Sequence, residues 1–311
     1  MNTIVVIGAS GYIGTHLVNE FLRRGEYKIK ILSRSRLDIK SPNLKMIYGH
    51  IGDRDALNEL LEANCTVVNL VYLKNFGEKE NLIACENLLE ACKVANIKRL
   101  IHCSTASVVG RVNVDFVTED TLCHPVTEYA LIKLKIEQTI LKKAQDSFDV
   151  AILRPTAVFG YNGENLKKLI VSLLKQNKFK NYLKSSLFGR RQMNLVSVDN
   201  VVAAIIFLAD YKEKIGGEIF NISDDNHSMN NYCDVESVLM KEFAISGYKL
   251  PFIPFPKGLL SFLLYLLKKD NANPSRKYSS EKLLQFGFKS PVNFEKSLYD
   301  YAIYSKNLYG S

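Results

Sequence analysis

Residues 3–14 read Thr3-Ile4-Val5-Val6-Ile7-Gly8-Ala9-Ser10-Gly11-Tyr12-Ile13-Gly14. The first five are all β-branched, the composition of a strand buried on both faces, and a helical pattern begins at Tyr12 and runs to Arg24. Bare glycines between the two let the backbone approach a pyrophosphate, and a helix that starts there offers it unpaired N–H groups. Gly8, Ser10, Gly11, Tyr12, Ile13 and Gly14 are therefore the candidate cofactor-binding turn. Its first glycine gap is one residue longer than in the common dinucleotide fingerprint. Taken alone, the turn also suits an ordinary strand-to-helix connection.

Working outward, the first half of the chain alternates short apolar strands with helical patterns, the signature of a parallel sheet covered by helices on both faces. Strands are expected at Thr3–Ile7, Lys28–Leu32, Lys45–Tyr48, Thr66–Leu70, Arg99–Cys103 and Asp149–Leu153. Helices are expected at Tyr12–Arg24, Asp55–Ala63, Glu80–Ala95 and Glu128–Asp146. Beyond Pro155 the order loosens: helices at Leu166–Gln176 and Asp199–Asp210, a strand at Glu218–Ile222, and a turn around Pro251, Pro254 and Pro256. This part reads as a smaller C-terminal lobe partly interleaved with the sheet.

Composition narrows the class. With 311 residues and 47% hydrophobic content the chain can bury a full core. The formal charge of +9 comes from lysines spread along the whole chain, which suits phosphate-bearing small molecules and does not indicate nucleic acid. No apolar run approaches the roughly 20 residues of a spanning helix, and the N-terminus lacks the features of a signal peptide. Six cysteines without a Cys-x-x-Cys pair read as reduced core thiols, so a cytoplasmic protein is expected. His16, His102, His124 and His227 have no metal-ligand spacing, and no metal is expected.

The chemistry is carried by Tyr129 and Lys133, four residues apart on one helix face. The cation is expected to lower the phenol's pKa from its usual value of roughly 10. A hydroxyl from the strand end at Ser104 or Thr105 would complete a proton-transfer site. At the end of the second strand, Leu32-Ser33-Arg34-Ser35-Arg36, Ser33 stands where an NAD site usually carries an acid. Arg34, with Arg36 as second choice, suits the 2′-phosphate of NADP(H), and NAD(H) stays open.

With these residues the chain resembles the extended short-chain dehydrogenase/reductase family, particularly its nucleotide-sugar epimerase, dehydratase and reductase branch. The resemblance covers nearly the whole length. It rests on the glycine turn, Asn81–Ala91, Cys103-Ser104-Thr105-Ala106-Ser107-Val108-Val109-Gly110, Tyr129-x-x-x-Lys133, Leu153-Arg154-Pro155 with Val158-Phe159-Gly160, Val198-Asp199-Asn200-Val201 and Phe220-Asn221-Ile222. It implies an α/β fold, a Rossmann-like doubly wound parallel sheet with a smaller C-terminal substrate lobe. Residues 1–155 would form the dinucleotide-binding domain and 156–311 mainly the lobe, with about 192–222 returning to the sheet. It further implies Tyr129 as general acid/base, Lys133 on the nicotinamide ribose, Thr105 on the substrate oxygen with Ser104 as runner-up, Asn81 and Pro155 beside the cofactor, and a homodimer.

Two departures matter. His50 falls where the family commonly has an acid against adenine, and Asp53 is expected to cap the next helix instead. Ala106 and Ser107 occupy the places of the Asp-Glu that follows the active-site Thr in the 4,6-dehydratases, and neither can serve as a carboxylate acid or base. The reading favoured by the sequence is an NADPH-dependent reductase of a keto group, preferably 4-keto-6-deoxy, on a nucleotide-linked sugar. Its alternatives are a sugar C4 epimerase with retained NAD(H), a non-sugar carbonyl reductase such as one for a steroid, and a non-catalytic NADP-responsive binding protein. Arg190, Arg191 and Arg276 are candidate clamps for a substrate diphosphate. The apolar segment Gly258–Lys269, flanked by Lys257, Lys268 and Lys269, reads as a helix packed in the lobe or against a second subunit, with peripheral membrane contact as the alternative.

Overall fold

The computed structural model describes residues 1–35, 37–39, 41–145, 147–251, 253, 255–267 and 269–309. Arg36, Asp146, Pro254 and Lys268, each named above, lie outside the described residues. In chain order the elements begin β1 (Asn2–Ile7), α1 (Tyr12–Arg24), β2 (Tyr27–Ser33), β3 (Leu44–Tyr48), α2 (Arg54–Leu60), β4 (Thr66–Asn69), α3 (Glu78–Val94) and β5 (Arg99–Cys103). A short 3₁₀ turn at Ala106–Val109 leads to β6 (Phe116–Val117), α4 (Glu128–Lys143), β7 (Asp149–Pro155), β8 (Ala157–Phe159), α5 (Lys167–Lys175), α6 (Lys178–Phe188) and β9 (Leu195–Ser197). The chain continues through α7 (Val198–Asp210), β10 (Glu218–Ile222), α8 (Tyr232–Glu242), α9 (Lys257–Leu266), β11 (Lys277–Tyr278), α10 (Glu281–Gln285) and α11 (Phe294–Tyr309).

Seven strands form one sheet in the order β10-β7-β5-β4-β1-β2-β3, a Rossmann-like doubly wound architecture. The pairings from β3 across to β7 are parallel. Their register sets Leu32, Ile7, Asn69, His102 and Ile152 side by side in one row. Every residue of β4, β5 and β7 is buried, as a sheet covered on both faces requires. The local chemistry explains the ends of the helices. Gly25, with φ of 70°, closes α1 by donating its N–H to the Phe21 carbonyl. Asp53 opens α2 by accepting from the N–H groups of Asp55 and Ala56, the cap expected from its position.

The chain forms two compact units: Met1–Val108, Glu128–Arg154 and Val202–Phe220 in the first, and Val109–Thr127, Pro155–Val201 and Asn221–Ser311 in the second. The core of the first packs α2 and α3 through Leu57, Leu60, Leu88 and Leu89 with Val67, Leu100 and Ile152 of the sheet. The second has its own core around Phe159, Ile170, Val235, Leu239, Phe294 and Leu298. Four of its helices, α6, α8, α10 and α11, lie in stretches the sequence left without elements. Two had a usable signal, for Asn177 and Asn231 cap α6 and α8 by accepting from backbone N–H groups. All six cysteines are free, and four of them are buried.

One buried cluster ties the returning segment to the sheet. Arg99, on β5 and 1% exposed, donates Nε to Asp149 Oδ2 at 2.7 Å. Its remaining nitrogens donate to the carbonyls of Leu208, Tyr211 and Glu213 at 2.6–2.8 Å. Asp149 also accepts from the N–H groups of Ile215 and Gly216. Burial works to raise the Asp149 pKa, but those two N–H groups and Arg99 overcome it and hold the carboxyl below its ordinary value. Replacing Arg99 by Met would strand a buried carboxylate and three carbonyls. Arg99→Met is therefore expected to lower unfolding stability by about 3–5 kcal/mol, read from the midpoint of urea denaturation, and an unchanged midpoint would refute the clamp.

Candidate active site

The row from Leu32 to Ile152 marks the carboxyl edge of the sheet, and the candidate site residues follow it. Strand order reverses at β1, with β2 and β3 on one side and β4, β5, β7 and β10 on the other. Open parallel sheets bind ligands at such a switch point. The glycine turn sits there. Gly8 has φ of +93°, and a Cβ on it would meet Leu70 and Val71 at 3.2 Å. A Cβ on Gly14 would stand 2.1 Å from the Gly8 carbonyl oxygen, so only glycine lets α1 approach this closely. Gly11 donates its N–H to Gly8 O at 3.0 Å and forms the N-cap of α1 with no side-chain cap. Tyr12, Ile13 and Gly14 make the first turn, which contains no acid to neutralise the positive end of the helix. Ser10 is exposed on the turn. This cradle fits the diphosphate of a dinucleotide.

At the neighbouring strand end, Ser33 is buried and donates Oγ–H to the Ser35 carbonyl at 2.7 Å. Arg34 follows it, exposed. His50 turns inward on its own loop, its Nδ1 accepting from the Gly52 N–H.

On the other side of the switch point, α4 brings Tyr129 and Lys133 to the end of β5. A buried ion pair, Arg154 of β7 to Glu137 of α4 at 2.6 Å, fixes that helix. Lys133, 2% exposed, donates Nζ–H to the Cys103 carbonyl at 2.7 Å, which uses one of an ammonium's three donors. Thr105 lies near enough to the Tyr129 hydroxyl to lower its pKa, and its Oγ1 accepts from the Ser107 N–H at 3.2 Å. Among the described residues, the Ser104 hydroxyl is buried without a partner. Tyr72, from the loop after β4, packs its ring edge-on against Tyr129 at 4.8 Å.

The electrostatics differ from the sequence expectation. Burial pushes the Tyr129 phenol up to about 12, against the weaker lowering influence of Thr105. The residue as a whole keeps 39% of its surface exposed, but its phenol is desolvated enough to raise its pKa. Lys133 does not offset this, because its ammonium is itself held below its ordinary pKa by burial and is directed at the Cys103 carbonyl. Burial, with Lys133 as a second cause, keeps His102 well below its usual pKa and hence neutral.

Other predicted residues have different duties. Asn81 is buried, and its side chain binds the backbone of Leu73, Phe76 and Gly77, shaping the loop after β4. Arg276 is 1% exposed and donates to the Gly110 and Val112 carbonyls, so its guanidinium braces backbone. Arg191 lies over the Phe188 ring and has its pKa lowered by burial, Arg190 is exposed before it, and Pro155 ends β7. Sequence reasoning missed Tyr72, Asn69 and Arg154. Asn69 ends β4 and accepts from the Val71 N–H at 3.0 Å, with its amide nitrogen 3.3 Å from His102 Nδ1. Among the described residues no group of His, Cys, Asp or Glu is placed to hold a metal ion.

Comparison with known proteins places the family and the fold. The profile of the NAD dependent epimerase/dehydratase family matches residues 4–223. The chain belongs to that family. Among similar proteins, sterol-4-alpha-carboxylate 3-dehydrogenase, decarboxylating, of Bos taurus is 26% identical over 234 residues, 71% of this chain. The match spans 64% of that protein, less than two thirds of its length. N-acetyl-alpha-D-glucosaminyl-diphospho-ditrans,octacis-undecaprenol 4-epimerase of Escherichia coli O157:H7 is 27% identical over 276 residues, 83% of this chain and 77% of that protein. UDP-glucuronic acid 4-epimerase from Bacillus cereus, solved with NAD, shares the fold at a TM-score of 0.75 and 22% identity, covering 99% of this chain and 98% of its own.

For the dinucleotide of the epimerase/dehydratase family, the glycine turn would hold the diphosphate, and Lys133 has donors left for a ribose. Tyr129→Phe removes the exchangeable proton but leaves the ring against Tyr72. Turnover is expected to fall on the order of 10²- to 10⁴-fold with dinucleotide affinity nearly unchanged by calorimetric titration. Retention of more than half the activity would remove Tyr129 from the proton path.

Proposed function

We propose that this protein epimerises a secondary hydroxyl, at C4, of a sugar carried on a diphosphate, using a retained nicotinamide dinucleotide. The observation that carries the reading is the meeting of Thr105, Tyr129 and Lys133 at the carboxyl edge of a chain matched by its family over residues 4–223. Relatives named as 4-epimerases support it, one of them over 83% of this chain. This reverses the order read from the sequence, where an NADPH-dependent reductase stood first.

The dinucleotide supplies a reversible hydride acceptor at the substrate carbon. Tyr129 takes the carbinol proton as the oxygen becomes a carbonyl and returns it after the sugar has turned over in the site. A phenol pushed up to about 12 is protonated at neutral pH and set to donate, so accepting the carbinol proton requires its phenolate form first. Thr105 holds the phenol oxygen in place. Elimination of water is disfavoured because Ala106 and Ser107 follow Thr105 where carboxylates would be needed.

The reductase stays as a second reading because of Arg34. It is exposed beside the glycine turn, and Ser33 leaves that strand end without a carboxylate. The two readings differ in the fate of the hydride. Purified protein given a uridine diphosphate sugar and catalytic dinucleotide should interconvert C4 epimers, followed by proton NMR from either epimer. Stoichiometric consumption of NADPH on a 4-keto-6-deoxy sugar nucleotide, without epimer interconversion, would overturn the epimerase and install the reductase.

The cofactor preference has its own test. If Arg34 binds a 2′-phosphate, Arg34→Ala should weaken NADPH about tenfold or more, the effect of losing about 1.5–3 kcal/mol in one charge-assisted contact, and leave NADH unchanged. Equal effects on both dinucleotides in a fluorescence titration would refute that role.

A further inference from the structure

The apolar segment near the C-terminus is not absorbed by the site. Helix α9 was expected to be enclosed because it is apolar nearly all round, but only its Leu260 and Leu264 are buried. Leu259, Phe262, Tyr265, Leu266 and Leu267 each keep more than half of their surface exposed. Leu259, Phe262 and Leu266 recur at i, i+3 and i+7, one stripe of the helix, and Leu250 and Ile253 of the preceding segment are also exposed. Ten residues make a helix about 15 Å long, half the thickness of a bilayer core. Among the described residues no helix is long and apolar enough to cross a membrane.

The chain segment that carries this stripe has charges of one sign. Residues 249–269 contain Lys249, Lys257, Lys268 and Lys269 and no Asp or Glu. Arg111 adds a further cation at the helix end, donating to the Tyr265 and Lys269 carbonyls with its guanidinium 4.3 Å from the Tyr265 ring centre. The next acid in the chain, Asp270, is engaged by the N–H groups of Val126 and Thr127 and by the Thr127 hydroxyl. A second copy meeting this patch face to face would set lysine against lysine with no carboxylate between them. We propose instead that the α9 face docks on an anionic phospholipid surface. Its apolar side chains enter the boundary between headgroups and acyl chains, and Lys249, Lys257 and Lys269 meet the phosphates.

Sedimentation of the full-length protein with vesicles tests this. Vesicles of phosphatidylglycerol mixed with phosphatidylcholine should carry the protein down, pure phosphatidylcholine should not, and raised salt should release it. Lys257→Gln should weaken the partition about fivefold. Phe262→Ser combined with Leu266→Ser should abolish it with the melting temperature maintained, since both side chains are exposed. Failure to sediment with the anionic vesicles would overturn the proposal. So would a wild-type dimer by light scattering that the double variant turns into a monomer while lipid binding is absent or unchanged.

Discussion

A carbon atom that is missing from Gly14 governs the dinucleotide half of this molecule. With a Cβ 2.1 Å from the Gly8 carbonyl oxygen, α1 could not rest against the turn. The positive end of the helix would then move off the carboxyl edge of β1. Because the strands are parallel and in register, that edge also carries the ends of β2, β4 and β5. The glycine contact and the strand register together bring the uncapped, acid-free start of α1 and the Tyr129–Lys133 pair to the same rim, although more than a hundred residues separate them in the chain.

The sequence made this half readable because each local preference agreed with the fold. The β-branched run before Gly8, the i, i+4 spacing of Tyr129 and Lys133, and Asp53 as a helix cap all point to structure that formed. The second unit was harder. Helix α11 is built from Phe294, Leu298, Tyr299, Tyr301 and Tyr304 among charged residues, and aromatic residues have only middling helix propensity, so packing decides its form. Strands of two or three residues, such as β6, β8 and β11, carry no periodic signal at all. At the site, Tyr72 was invisible because loop geometry brings it to Tyr129 across 57 residues. Nothing local in Asn81 or Arg276 tells that their donors would be spent on nearby carbonyls.

The proton-transfer pair shows how burial can outweigh neighbours. A lysine four residues away suggests a softened phenol, yet the Lys133 ammonium is pinned to a carbonyl and itself desolvated. Its charge is best placed to act on a ligand's hydroxyls and on a phenolate as it forms. Burial keeps the Tyr129 phenol protonated at neutral pH, so in the proposed reaction the step in which it accepts a proton would depend on added positive charge at the site.

The Arg99 clamp has a consequence for how the chain is made. Its carbonyl partners lie 109 to 114 residues downstream. A nascent chain that has emerged only as far as β7 already contains six of the seven strands, but it would enclose a guanidinium with most of its acceptors still unsynthesised. The first unit therefore has to wait for residues 208–216 before its sheet can close. Autonomous folding should begin only when roughly two thirds of the polypeptide is available, and a fragment cut at the end of β7 would be a poor folding unit even though the sequence suggests a boundary there.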